Sequence, residues 1–84
     1  MQIYRKVNKD IFLNFIEKRG VSIRSLDRVS GVTERTIRRS LKYGEISISS
    51  AIRICLYLDC TFDEAFGVDS SSEWNKIISL FIKE

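Results

Sequence analysis

The sequence predicts an all-α fold: five short helices followed by an additional C-terminal helix. Three observations carry that prediction. Apolar residues recur at helical spacing through nearly the whole chain, and alternation of the strand type is never sustained beyond a few residues. Side chains suited to N-caps precede the periodic runs and glycines follow them. No Pro interrupts any of these runs.

Asn8 caps a first helix over about 9 to 19, with Ile11, Phe12, Phe15 and Ile16 on its apolar side, Lys18 and Arg19 at its negative end and Gly20 as its stop. Ser22 caps a second, with Leu26 and Val29 inward, which ends at Gly31, a residue free to take positive φ. Thr33 caps a third over 34 to 43, in which Ile37 and Leu41 recur at i, i+4 before Gly44. After a loop, Glu45 to Ser47, the run ISSAIRICLYLDC forms a fourth helix with Ile48, Ile52, Cys55 and Leu58 along its buried stripe. Thr61-Phe-Asp-Glu64 has the form of a capping box, so a fifth helix spans 62 to 66, with Phe62 and Phe66 in the core. The turn-forming stretch VDSSS is the expected linker, dividing a domain of residues 1–67 from a segment of residues 68–84. In that segment Ser72 caps a sixth helix whose stripe, Trp74, Ile77, Ile78 and Phe81, needs a partner. A second copy of the chain is the expected one.

At 84 residues the chain is sized for one domain. Apolar residues at 44% and charged residues at 30% are ordinary for a folded, soluble protein. No apolar run approaches bilayer length and the N-terminus has no signal-like apolar core, so a cytoplasmic protein is expected. The absence of His, and the spacing of Cys55 and Cys60, leave no recognisable metal site or redox pair, and both cysteines read as small buried hydrophobes. No nucleophile motif or Gly-rich phosphate loop is present, so neither an enzyme nor a cofactor is expected.

Charge is polarised along the chain. Residues 1–44 hold 11 Lys or Arg against 4 Asp or Glu, a balance of +7, whereas residues 45–84 hold 3 against 7, a balance of −4. On the third helix Arg35, Arg38, Arg39 and Lys42 fall within one arc at 100° per residue, with Ile37 and Leu41 roughly opposite. One side docks into the core; the other offers a cationic ridge to a polyanion.

From Gly20 to Gly44 the pattern resembles the helix-turn-helix of the lambda-repressor-like family, also called the Xre or Cro/CI type. It is carried by Gly20-Val-Ser, Leu26, the turn Gly31-Val32-Thr33, Thr36-Ile37 and the closing Leu58-Asp-Cys-Thr-Phe-Asp-Glu64, and extends in weaker form over roughly residues 12–66. The resemblance implies five helices, with the third reading DNA. The sequence departs from the family at Ile23, where Gln is common, at Asp27, where Ala is preferred, and at Ser40, where a bulky apolar residue is usual. One residue also stands inserted before Gly44. Two further departures are paired: Ile16 and Leu41 occupy positions where many members place a buried Arg–Glu pair. Replacing both charges by packed apolar groups is often neutral or stabilising, so the fold is expected to survive with these two side chains in contact.

In helix-turn-helix proteins the start of the second helix of the motif reaches base edges in the major groove. The expected base contacts are therefore Thr33, Glu34, Arg35, Thr36 and Arg39. Arg35 and Arg39 can donate twice to guanine, Glu34 can accept from cytosine, and the Thr methyl groups can pack on thymine. Ser22, Arg24, Arg38, Lys42 and Tyr43 are expected at phosphates, with Arg5 and Lys6 reaching the backbone from a mobile N-terminal arm. The function expected is a small Cro-like repressor that binds double-stranded DNA as a homodimer, without a small-molecule ligand or a membrane. The alternative is a helix-turn-helix module that has lost DNA readout and binds a partner protein through the Trp74 to Phe81 stripe.

Overall fold

Each helix among the described residues starts at a side-chain oxygen that accepts a hydrogen bond from its own first turn. Asn8 accepts from the Ile11 N–H, Ser22 from Ser25, Thr33 from Thr36, Ser47 from Ser50 and Thr61 from Glu64. These caps satisfy donors that the helical ladder leaves open. The computed structural model describes residues 3–69, in the order β1 (Tyr4–Lys6), α1 (Lys9–Lys18), α2 (Ile23–Ser30), α3 (Glu34–Tyr43), β2 (Glu45–Ser47), α4 (Ile48–Leu58) and α5 (Phe62–Phe66). The sixth helix and its Trp74, Ile77, Ile78 and Phe81 stripe lie outside these residues.

The fold is mostly helical but not all-α. β1 and β2 pair antiparallel, Tyr4 opposite Ser47, Arg5 opposite Ile46 and Lys6 opposite Glu45. The pairing continues beyond both strands, through Val7 N–H to the Gly44 carbonyl and Ile48 N–H to the Ile3 carbonyl, each at 2.9 Å. The expected loop at Glu45 to Ser47 is thus a strand. Three residues cannot display the alternation by which a strand is recognised. Gly44, at φ 74°, ends α3 and turns the chain directly into β2.

The N-terminal arm is likewise not free. Arg5 is 1% exposed and its guanidinium donates to Asp63 Oδ1 at 2.6 Å, to the Gly67 carbonyl at 2.7 Å and to the Lys6 carbonyl at 3.0 Å. The Phe62 and Phe66 rings lie 5.8 and 5.9 Å from it. Asp69, buried at the start of the expected linker, accepts from the Lys6 N–H at 3.1 Å. β1 is therefore tied to the end of α5 from both sides.

The core runs between α1 and α5, where the Phe12 and Phe66 rings stack at 5.7 Å, and across Leu26, Ile37, Ile46, Ala51 and Ile54. Ile16 and Leu41 are both buried in this cluster, so no charge occupies either position. Three expected core residues are exposed instead: Ile11, Val29 and Ile52. On α4 the inward stripe is Ala51, Ile54, Cys55 and Leu58, rotated away from Ile52 because that helix is apolar on nearly every side and only its neighbours select a face. Phe62 is partly buried against the cluster. Cys55 is buried and Cys60 half-buried, and burial pushes the Cys55 thiol up to about 12. That leaves almost no thiolate to react.

Candidate nucleic-acid interface

The connection between α2 and α3 is held by short polar contacts. Gly31, at φ 78°, closes α2 in a left-handed conformation that side chains disfavour. Ser30 Oγ donates to the Leu26 carbonyl at 2.6 Å and accepts from the Val32 N–H at 3.2 Å, while Val32 is buried beneath the turn. Asp27 Oδ2 accepts from the Glu34 N–H at 2.8 Å. Asp27, one of the residues that depart from the family pattern, is therefore a second cap of α3, linking the two helices across the turn.

α3 divides sharply into two faces. Ile37, Ser40 and Leu41 are buried, Ser40 donating back to the Thr36 carbonyl at 2.8 Å. A serine fits there because its hydroxyl satisfies itself on its own helix. Thr33, Arg35, Thr36, Arg38, Arg39, Lys42 and Tyr43 are exposed on the other side. A helix buried on one side and basic on the other is thus mounted on a capped turn from α2. The Cro/C1-type HTH DNA-binding domain family matches residues 12–70.

The chain belongs to that family.

No curated protein and no solved structure matches the chain. Within the Cro/C1-type domain the expected site residues fall into distinct settings. Arg35 has no hydrogen bond or ion pair among the described residues and stands open at the start of α3. Glu34 is engaged: its Oε2 accepts from Arg38 Nε and Nη2, both at 2.8 Å, with Arg24 Nε 3.9 Å from its other oxygen. Arg38 thus lies along the helix in an i, i+4 ion pair, and Glu34 holds cations rather than an open acceptor. Thr33 and Thr36 share a hydroxyl bond at 2.8 Å.

Ser22 caps α2 with its hydroxyl on the Ser25 N–H at 3.1 Å, and Arg24 beside it is almost wholly exposed. These two line one depression with Glu34 and Arg38. A second, of about 610 Å³, lies at the other end of α3 and brings Thr36, Arg39 and Tyr43 beside Tyr4 and Ser49. Arg39 lies 5.9 Å and Lys42 Nζ 5.6 Å from the Tyr43 ring. Tyr43 is 65% exposed, on the open side of the helix.

The expected phosphate contacts Arg5 and Lys6 separate. Arg5 is enclosed behind the hairpin, while Lys6 is exposed on its outer face. Sequence reasoning missed Tyr4, which the hairpin carries to the α3 side, and the cap role of Asp27. No local turn pattern signals the second, because Asp27 accepts from an N–H seven positions further on. Among the described residues no helix is long and apolar enough to cross a membrane.

Proposed function

We propose that the protein is a sequence-specific double-stranded DNA-binding transcriptional regulator, a small Cro-like repressor that blocks transcription by occupying its operator. The observation that carries this reading is the exposed cationic face of α3 opposite buried Ile37, on a turn held by Ser30 and Asp27. α3 enters the major groove, Arg35 and Arg39 donate to guanine, and Thr33 and Thr36 offer methyl groups to thymine. Glu34 holds Arg38 and Arg24 beside one another, and both reach the backbone. Ser22 and Arg24 at the positive end of α2, with Lys42 and Tyr43 beyond α3, hold phosphates on either side. Two copies related by a twofold axis set their α3 helices one DNA turn apart, about 34 Å, with Trp74, Ile77, Ile78 and Phe81 as the contact between them.

The test is selection of duplexes from a random pool at physiological salt, followed by the double variant Arg35→Glu/Arg39→Glu. An inverted repeat should emerge from the pool, and the variant should lose it while keeping its helical circular dichroism. With roughly 6 to 10 phosphate contacts per dimer, affinity should fall about 10³- to 10⁵-fold between 50 and 200 mM salt. A variant that still binds duplex, or a binding constant indifferent to salt, removes the proposal. Failure to recover any duplex, with a partner protein captured unchanged by the variant, favours the interaction-module reading.

A further inference from the structure

We infer that Glu34 is a specificity filter, keeping Arg38 off the phosphate backbone unless a cytosine amino group stands opposite the start of α3. The inference rests on the DNA-binding reading above and adds to it how a poor site is rejected.

The ion pair is already made in the free protein. Arg38 Nε and Nη2 both donate to Glu34 Oε2 at 2.8 Å, so two of the three guanidinium nitrogens are taken by one carboxylate oxygen. The acidic member stands one turn before the basic one, the order that a helix favours. The Glu34 side chain is only 31% exposed and shares its depression with Leu13 and Ile23, where water screens the pair less than on an open surface. Asp27 holds the Glu34 N–H at 2.8 Å and so fixes the residue at the head of α3.

A paired Arg38 presents little net charge to a phosphate, and the carboxylate beside it repels one. Non-specific binding draws on phosphate contacts, so both effects weaken it. At a matched site the other carboxylate oxygen comes into use. Oε1 lies 3.9 Å from Arg24 Nε, beyond hydrogen-bond reach, and accepts no hydrogen bond among the described residues. Cytosine offers N4–H₂ to it in the major groove, whereas the amino group of adenine sits beside N7, an acceptor that repels a carboxylate. As Glu34 turns to the base, Arg38 is released to the backbone. Repulsion at wrong sites and a bond at the right one both widen the gap in affinity between them.

The experiment uses the full chain, a random-sequence duplex and a duplex recovered by the selection described above. Glu34→Gln keeps the shape of the side chain and removes its charge. On the random duplex its affinity should rise about eightfold at about 100 mM salt, the worth of one added phosphate contact, and the salt slope should steepen by ~0.9 per protomer. On the selected duplex the gain should be smaller, because the charge-assisted bond to cytosine is lost, so the ratio of the two affinities falls. In an Arg38→Gln background the steepening should disappear, since that cation is no longer there to release. Selection repeated with Glu34→Gln should leave one C·G position of each half-site free to vary. Equal gains on both duplexes, no gain on the random one, a steepening that survives Arg38→Gln or an unchanged selected sequence overturns the inference and leaves DNA binding intact. If no duplex is recovered, the DNA-binding reading falls and this one with it.

Discussion

A buried cation with a half-solvated partner gives a testable asymmetry. Arg5 has a fully buried side chain, whereas that of Asp63 is 61% exposed, and they meet at 2.6 Å. Asp63→Ala removes the carboxylate that meets the buried guanidinium, a change that costs about 3 to 5 kcal/mol when both groups of such a pair are buried. The exposure of Asp63 lets water take its place in part, so about 2 to 3 kcal/mol is expected. Arg5→Met removes the buried charge itself. Its cost is the loss of donors to the Gly67 and Lys6 carbonyls, about 1 to 3 kcal/mol, softened by an apolar side chain between Phe62 and Phe66. In the Arg5→Met background Asp63 has no buried charge to neutralise, and Asp63→Ala should then cost only the few tenths of a kcal/mol due to a carboxylate in the first turn of α5. The interaction energy of the double-mutant cycle is therefore about 2 kcal/mol. Urea unfolding of the four proteins, followed by far-UV circular dichroism, measures it. Additive costs within about 0.5 kcal/mol would show that Asp63 does not support the buried cation, and the account of the anchored strand would be refuted.

Two further outcomes follow from the caps. Asp27→Ala should lose about 1 kcal/mol by removing the second acceptor at the start of α3, with Asp27→Asn recovering part of it, measured by the shift in urea midpoint; an unchanged midpoint would mean that the Asp27 contact does not stabilise the turn. The Glu64 carboxyl is held below its ordinary 4.5 by hydrogen bonds from the Thr61 N–H and hydroxyl. A lowered folded-state value adds stability above 4.5 that is lost as pH falls below it through the folded value, so the gap in urea midpoint between wild type and Glu64→Gln should narrow on acidification. A gap that stays constant down to acid unfolding would contradict that linkage.

The sequence made much of the scaffold legible because its signals are local. Thr33 and Gly44 bracket α3 at the bounds found, and Thr61 with Glu64 forms the expected capping box, since caps and stops act through bonds spanning three or four residues. Ile37 and Leu41 marked the inward side of α3, leaving the basic side chains outside. Legibility failed where the choice was between faces of similar apolarity. Ile52 and Ile54 are equally hydrophobic, and only the packing of α4 between its neighbours exposes one and buries the other. Val29, three residues after Leu26 on the mostly polar α2, is exposed as well. The hairpin was hidden by its brevity, and with it the placement of Tyr4 and Arg5.

By itself, then, the sequence determined five capped helices, the turn at Gly31 and the clustering of cations opposite Ile37, because each depends on residues within about one or two turns of one another. Tertiary structure alone decided that Arg5 is an internal anchor rather than a reaching arm. Its partners, Asp63 and Gly67, stand 58 and 62 positions away, and no local pattern encodes which distant carboxylate and carbonyl will converge on a guanidinium.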